Sequence, residues 1–408
     1  MFLIRPASLF FLLTASTLIQ AQEAPVPDGA RPGAIRPEQS DRPTIPMQVP
    51  DEVFEAPGSV LEVPPVIDRP FDIDDGPKVV VRHFRLLDAR NLPGYGVSLA
   101  EMESILQQQV ADRPEGFTVG QLQLAADQIT LYYRSKGLIL AQAVVPVQTV
   151  DDGVVEIQVF IGTLGRVIVE GNQMYKESVL YSPFEDLIGE PVTQASIEAA
   201  LLQLTDFPGL TVFGIFQPGQ IVGTADIILT VQGEDRFNFS YRVDNHGLAE
   251  TGEYRFRPTF IWNNITGAAD RLNLSLQQTY NPKNNIFYSA DYDRYIGWGI
   301  RAGVGWNENT FDVGGDLAAQ EIEGATTQYS GYLDKTWIRG RQMNLSTRMA
   351  LTHKDSATTT RDRQTNRDKL TVLSASAVFD NVDTRFRGIN FATLEFSQGF
   401  DDFLGAMG

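Results

Sequence analysis

Residues 254–262 read YRFRPTFIW, and the character of the side chains alternates along this stretch. Tyr254, Phe256, Phe260 and Trp262 stand at every second position, with Pro258 between the two pairs. The positions between them hold two arginines, a threonine and an isoleucine. Successive side chains of a β-strand point to opposite faces of the sheet, so this period of two predicts a strand with one apolar and one mainly polar face.

The same alternation recurs on both sides of this stretch, across residues 234–408. It predicts about nine strands of about 9–12 residues, with aromatic residues near the strand ends and Arg, Asn, Gln and Thr on the opposite face. A transmembrane β-strand needs about 9–11 residues, whereas strands of soluble proteins average about 5–6. We therefore predict the antiparallel sheet of a transmembrane β-barrel, with a soluble β-sandwich as the alternative.

Nine strands do not suit a closed barrel, because bacterial single-chain barrels have an even number of strands. In lipid, an open sheet leaves two strand edges with unpaired backbone groups, each costing several kcal/mol. We therefore expect an unclosed sheet with Ala392–Gln398 as a bare edge. We also expect the printed sequence to be the N-terminal part of a longer reading frame.

Upstream of the strands, residues 78–233 repeat the order β-α-α-β-β twice. We assign modules to 78–164 and 165–233, each with helices on one face of a small mixed sheet. Ser98, with Glu101 three residues later, and Thr118 are predicted helix caps. The predicted elements are strands 78–87, 138–147, 154–161, 166–170, 210–216 and 225–231, and helices 98–110, 118–136, 176–187 and 193–205.

The first 77 residues carry export and linker signals. Residues 1–21 read MFLIRPASLFFLLTASTLIQA, a basic residue followed by a short apolar run, which is typical of a secretory signal peptide cleaved after Ala21. Residues 22–77 hold 12 of the chain's 22 prolines and have 12 acidic against 4 basic residues. This composition predicts an acidic, Pro-rich linker without a core of its own.

The amino-acid composition limits the partners, metal sites and reactions that the chain can support. The net charge of −18 disfavours nucleic acid as a partner. The chain has no cysteine and only three histidines, His83, His246 and His353, at spacings that match no metal motif. No Gly-x-Ser-x-Gly or phosphate-binding glycine pattern occurs, and we predict neither an enzyme nor a cofactor.

The second half of the first module carries a more specific pattern. Residues 137–172 run through GLI, AVVPVQ, GVVEI and GTLGRV to Gly171-Asn172. With the β-α-α-β-β order, this stretch resembles the paired POTRA domains of two-partner secretion outer-membrane transporters, the haemolysin secretion/activation proteins of the ShlB, FhaC and HecB type. The strand region resembles the same family at residues 244–247, reading DNHG, and at residues 379–381, reading FDN.

The resemblance implies a sixteen-stranded barrel in the bacterial outer membrane, with POTRA domains in the periplasm and a secreted, haemolysin- or adhesin-like exoprotein as unfolded cargo. The family's Val-Arg-Gly-aromatic loop motif has no match in the sequence. As turn formers, the family-motif positions are interpreted as mainly structural. They are Pro146, Gln148, Gly153, Gly162, Gly171, Asp244, Asn245, Gly247, Asp380 and Asn381.

The proposed physical basis of cargo capture is β-augmentation, because a small mixed sheet leaves an edge strand whose backbone groups can pair with an extended chain. Leu210–Phe216 and Leu138–Val147 are the candidate edges. Two alternatives remain open: a barrel-assembly insertase of the same superfamily, and a structural porin-like barrel.

Overall fold

The computed structural model describes residues 73–361 and 363–406. The predicted signal peptide and most of the Pro-rich linker, residues 1–72, lie outside the described residues. Two three-stranded sheets precede one nine-stranded sheet. None of the helices within the described ranges has the length and apolar character needed to cross a membrane.

The first module has the expected β-α-α-β-β order. Its strands form a mixed sheet in the order β1-β3-β2, in which β1 runs parallel to β3 and β2 runs antiparallel. Its core lies between this sheet and the two helices, around the fully buried Met102, Ile129, Tyr133 and Ile157. The elements are β1 (His83–Leu87), α1 (Leu99–Asp112), α2 (Val119–Ser135), β2 (Gln142–Val144) and β3 (Val154–Phe160).

Both predicted helix caps lie at N-cap positions, Ser98 before α1 and Thr118 before α2, but only Thr118 caps its helix through its side chain. Thr118 forms a complete capping box with Gln121 at the start of α2. Ser98 precedes α1, but its side chain makes no capping hydrogen bond. Glu101 instead accepts a hydrogen bond from the Tyr132 hydroxyl (2.7 Å), while that hydroxyl accepts one from the Ser98 backbone N–H (2.8 Å). A tyrosine from α2 thus satisfies the backbone group that a capping box would have used.

The second module repeats the arrangement, with sheet order β4-β6-β5. Its predicted first helix is split, because α3 gives way at Ser182 to a 3-10 helix, Ser182–Leu187, with Pro183 in its first turn. Thr193 caps α4 by accepting a hydrogen bond from the Ser196 N–H at 3.0 Å. The elements are β4 (Thr163–Glu170), α3 (Glu177–Tyr181), α4 (Gln194–Thr205), β5 (Leu210–Pro218) and β6 (Thr224–Glu234).

Nine antiparallel strands follow, each paired with its neighbours along the chain. Only two residues separate β6 from β7, so the second module leads directly into the large sheet. Within the described residues β7 and β15 are the two ends of this sheet, and each pairs on one side only, as predicted for Ala392–Gln398. The strands are β7 (Phe237–Asp244), β8 (Tyr254–Asn263), β9 (Asp270–Tyr280), β10 (Asn285–Gly297), β11 (Ile300–Asp312), β12 (Ile322–Arg339), β13 (Met343–Thr360), β14 (Arg363–Asp383) and β15 (Gly388–Phe400).

The register places mainly apolar residues on one face of the sheet, with Gln398 on β15 as the polar exception. A single row of paired residues crosses all nine strands, and it consists of Phe237, Trp262, Leu272, Tyr292, Val304, Gly331, Leu351, Leu373 and Gln398. Phe237 (58%) and Val304 (60%) are exposed, as expected for a face that lies against lipid. The residues between these positions form the opposite surface, called the polar face below.

The predicted strand length of about 9–12 residues is too short for six strands, slightly for β10, β11 and β15 with 13 residues each and greatly for three others. β12 and β13 have 18 residues each and β14 has 21. The extra length is polar on both faces, as in Arg363–Lys369, so it lacks the apolar alternation from which strands were predicted.

Candidate functional site

The first candidate edge, Leu210–Phe216, lies within β5, the outer strand of the second module. In the described part of the chain, no backbone–backbone hydrogen bond joins residues 212–217 to anything but β6. Ile215 on the helix-free face of this strand is 40% exposed, and the β5–β6 turn carries Ile221 (71%) and Val222 (82%). An open strand edge therefore lies beside exposed apolar side chains, the combination that binds an extended peptide.

The second candidate edge, Leu138–Val147, is wrong. Only Gln142–Val144 forms a strand, and α2 covers its outer side. The Ala143 N–H donates to Thr130 Oγ1 (2.9 Å), and the Val145 N–H donates to Gln123 Oε1 (3.3 Å). Because side chains of the same module already satisfy these donors, this edge offers an incoming strand little to bond.

The second module packs directly against one end of the nine-stranded sheet. Tyr295, at the end of β10, lies in the module's core, with its ring 4.9 Å from that of Phe207. Gln203 Nε2 on α4 donates to the Tyr295 hydroxyl at 2.7 Å. Tyr175 donates its hydroxyl proton to the Pro208 carbonyl, and burial raises the pKa of this phenol. Aromatic packing thus makes sheet and module share one core.

Backbone contacts extend this junction. The Lys176 N–H donates to the Gly267 carbonyl oxygen (2.9 Å) in the β8–β9 turn, and Asn263 Nδ2 donates to the Asp235 carbonyl oxygen (2.9 Å). The three turns that follow β8, β10 and β12 lie at this same end of the sheet, because the strands are antiparallel and sequential. The module therefore lies at the end of the sheet where the chain enters it.

The β12–β13 turn supplies charged contacts to α4. Arg339 bonds the Asp206 carboxylate at the end of α4 through Nε and Nη2, at 2.7 and 2.8 Å. Arg341 forms an ion pair with Glu198, two turns earlier on the same helix. Two arginines, one at the end of β12 and one in the turn that follows it, thus hold one helix at two points; we call Arg339 and Arg341 the turn arginines.

The polar face carries further ion pairs near the junction. Asp293 accepts hydrogen bonds from Arg271 Nε (3.1 Å) and from Arg301. Arg348 donates to both carboxylate oxygens of Asp334, at 2.6 and 2.8 Å. These charged side chains are suited to a hydrated surface on the polar face of the sheet, opposite the apolar row.

The family-motif positions of the first module lie at strand connections. Gln148 donates to the Glu156 carbonyl (2.8 Å) and accepts from the Glu156 N–H (2.8 Å), so its amide takes the place of a neighbouring strand's backbone. Pro146 precedes it, and its carbonyl accepts a second bond from the same amide at 3.3 Å. Gly162 has φ +80°, and a Cβ there would lie 2.9 Å from the Leu140 backbone. Gly153, and Gly171 at the start of the second module, also have positive φ.

The motif positions of the large sheet lie at its two opposite ends. Asp244 closes β7 at the far end, accepting from Arg255 Nε (2.6 Å) and the His246 N–H (3.1 Å). Asn245 and Gly247 follow in the β7–β8 turn, where the Gly247 N–H bonds the Glu253 carbonyl. Asp380 and Asn381 lie at the junction end of β14. The structure therefore does not bring the two clusters together.

The chain has two folded modules followed by a nine-stranded sheet with one apolar face. This arrangement is typical of outer-membrane barrel proteins with POTRA domains. Residues 94–162 match the POTRA domain of ShlB type, and residues 223–407 match the haemolysin secretion/activation protein ShlB/FhaC/HecB. Both matches support a transporter of the two-partner secretion type, a family of outer-membrane transporters and not of enzymes. The predicted location, the outer membrane with POTRA domains in the periplasm, is confirmed.

Curated relatives and solved structures agree with this family. The heme/hemopexin transporter protein HuxB of Haemophilus influenzae (strain 86-028NP) is 27% identical over 238 residues, covering 56% of this chain and 41% of that protein. The outer membrane transporter CdiB-2 of Burkholderia pseudomallei is 24% identical over 316 residues, covering 74% and 53%. The solved structure of CdiB from Escherichia coli has a TM-score of 0.64 at 19% identity, covering 87% of this chain and 64% of that one. The chain thus spans about half the length of the curated relatives it matches.

The junction residues were missed by sequence reasoning. Arg339 and Asp206 are 133 positions apart, and each is an ordinary surface charge when considered alone. The one available signal was the pair of arginines in the short segment IRGRQM, residues 338–343, between two strands. That pattern also fits any polar turn at a membrane interface.

Proposed function

We propose that the chain forms the periplasmic modules and nine barrel strands of a transporter that captures an unfolded exoprotein and passes it along the polar face to the cell surface. The observation that carries the proposal is the open edge of β5. Main-chain hydrogen bonds supply affinity that does not depend on the cargo's sequence, while Ile215, Ile221 and Val222 offer apolar contacts.

The junction supports the second step. In the second module, α4 packs against one face of β5. Residues Asp206 and Glu198 at this helix form ion pairs with the turn arginines. Cargo paired with β5 would therefore be held close to the end of the sheet where the polar face begins. The ion pairs on that face offer hydrated groups rather than an apolar surface on which an unfolded chain would stick.

Cysteine cross-linking tests capture, because the chain contains no cysteine. The chain in detergent would carry either Ile215→Cys on β5 or, as a matched control, Val147→Cys beside the covered edge of β2; both positions are exposed. The probe is an unfolded segment of the exoprotein encoded by the neighbouring reading frame, with one cysteine moved residue by residue. Disulfide formation after mild oxidation is measured by gel shift.

Ile215→Cys should cross-link with a period of two along the probe, since alternate side chains of an added strand face the same side. Val147→Cys should cross-link weakly and without a period. Equal yields at the two sites, or no period at Ile215→Cys, would contradict capture by strand pairing. The absence of any neighbouring frame for a secreted β-rich protein would favour the porin-like alternative.

A further inference from the structure

A line of hydrogen bonds connects α4 to the polar face of the sheet. Arg339, which bonds Asp206 through two nitrogens, also donates from Nη1 to Asn344 Oδ1 at 3.1 Å. Asn344 in turn donates from Nδ2 to Asp380 Oδ2 at 2.9 Å. Asp380 on β14 is thus linked to a helix of the second module through two intermediate side chains.

The chemistry of the three side chains gives this line a direction. An asparagine amide has an acceptor end and a donor end, and rotation by 180° exchanges them. A carboxylate only accepts, so Asp380 requires the NH₂ end of Asn344 and turns the oxygen toward Arg339. The Gly340 N–H donates to the same oxygen at 3.2 Å, which fixes the start of the turn as well.

We propose that Asp380 is a positioning residue for the second module: by orienting the Asn344 amide, it holds Arg339 in the geometry for its two bonds to Asp206. The ion pair of Arg341 with Glu198 supplies the second point of attachment. Glu198 and Asp206 are eight residues apart on one helix, about 12 Å along its axis. Attachment at both points therefore opposes rotation of the module against the sheet as well as sliding.

The consequence concerns the geometry of capture. A module fixed at two points keeps the open edge of β5 in one orientation relative to the nine-stranded sheet. The importance of that orientation for capture rests on the proposed function. The attachment itself can be measured without cargo. A failure of cargo capture would therefore leave this inference standing, and the reverse also holds.

The test uses two spin labels on the full chain in detergent. Cysteines replace Gln220 in the β5–β6 turn and Lys283 in the β9–β10 turn, both exposed. Pulsed electron paramagnetic resonance then measures the distribution of distances between the labels. We expect one narrow distribution for the parent chain, and a wider or shifted one after Asp380→Ala, Asn344→Ala or Arg339→Ala.

Asp383→Ala is the matched control. This carboxylate lies three residues further along the same strand and accepts from the backbone N–H groups of Arg385 (2.8 Å) and Phe386 (3.0 Å) within its own turn. It should leave the distribution unchanged. In the Arg339→Ala background, Asp380→Ala should add nothing, because both changes break the same line of bonds.

Three results would overturn the proposal: an unchanged distribution after Asp380→Ala, an equal change after Asp383→Ala, or fully additive effects of Asp380→Ala and Arg339→Ala in the double variant. Far-UV circular dichroism and the gel mobility of unheated samples show which variants are folded. If Asp380→Ala does not fold, Asn344→Ala decides the matter, since it breaks the line at the next side chain.

Discussion

At the scale of single residues, Asp226 on β6 is a buried charge of the second module that accepts three hydrogen bonds from one arginine. Its side chain is only 2% exposed, and it accepts from the Arg166 backbone N–H (3.0 Å), Nε (3.1 Å) and Nη2 (2.6 Å). Asp226→Ala leaves that N–H without its acceptor, and we expect a loss of about 2 kcal/mol in the free energy of unfolding of the second module. Urea unfolding followed at 222 nm measures it, because all the α-helices described belong to the modules.

Asp186→Ala is the control for this variant, since Asp186 is exposed on the 3-10 helix of the same module. It should change the unfolding free energy by less than about 0.5 kcal/mol. Equal effects of the two substitutions would show that the Asp226 contacts contribute no specific stability.

A second residue-scale prediction concerns pH. The Tyr132 hydrogen bond, followed by the charge of Lys136, holds the pKa of Glu101 below its usual value. A group with a lowered folded-state pKa stabilises the fold above its unfolded pKa of about 4.3, and this contribution is lost as the pH falls through the folded value. Glu101→Gln should therefore flatten the loss of stability of the first module between about pH 5 and pH 3.

Glu103→Gln, on the same helix and exposed, provides the matched comparison. Urea unfolding at several pH values should give the parent slope for Glu103→Gln and a smaller slope for Glu101→Gln. A parent-like slope for both variants would contradict the role assigned to the Tyr132 contact.

At the scale of elements, the connection between the two modules depends on Gly162. Its φ is +80°, and a Cβ would lie 2.9 Å from the backbone carbon and oxygen of Leu140. Gly162→Ala should therefore destabilise the first module by about 2 kcal/mol or more, from backbone strain and contact together. Gly189→Ala separates the two causes, because Gly189 has φ +82° but no atom within 4 Å of the added Cβ.

We expect Gly189→Ala to cost about 1 kcal/mol, the conformational share alone. Urea unfolding of both variants measures the difference. If the two costs are equal, the approach of Leu140 has no energetic importance, and only the turn conformation requires glycine.

Elements that depend on neighbouring residues could be predicted from the sequence, whereas contacts between residues far apart in the chain could not. Period-two alternation such as Tyr254–Trp262 is a local pattern, and it gave nine strands and their apolar face correctly. The Ser98 capping box does not form and the Leu138–Val147 edge is not open, because Tyr132 and Thr130 of α2 supply the competing hydrogen bonds. The Arg339–Asp206 contact required the tertiary fold itself.

At the scale of the whole molecule, the open sheet leads to a prediction about exchange. β10, β11 and β12 are paired on both sides, whereas β7 and β15 pair on one side only. In a strand that is paired on both sides, the amide hydrogens exchange only when a larger part of the sheet opens. The amide hydrogens of an edge strand exchange through smaller openings. Hydrogen exchange of the 408-residue chain in detergent, read by mass spectrometry, should therefore show slow exchange in β10–β12 and much faster exchange in β7 and β15.

The exposed surface of the end strands sharpens this expectation. Phe391 (61%), Leu394 (74%) and Phe396 (65%) on β15 are exposed, as are Phe237 and Phe239 on β7. An unpaired and apolar edge is a template for another strand. If β7 and β15 were instead as protected as β11, their edges would be paired in solution, with each other or with a second copy. The molecular mass in detergent then decides between these arrangements, because only the second one doubles it.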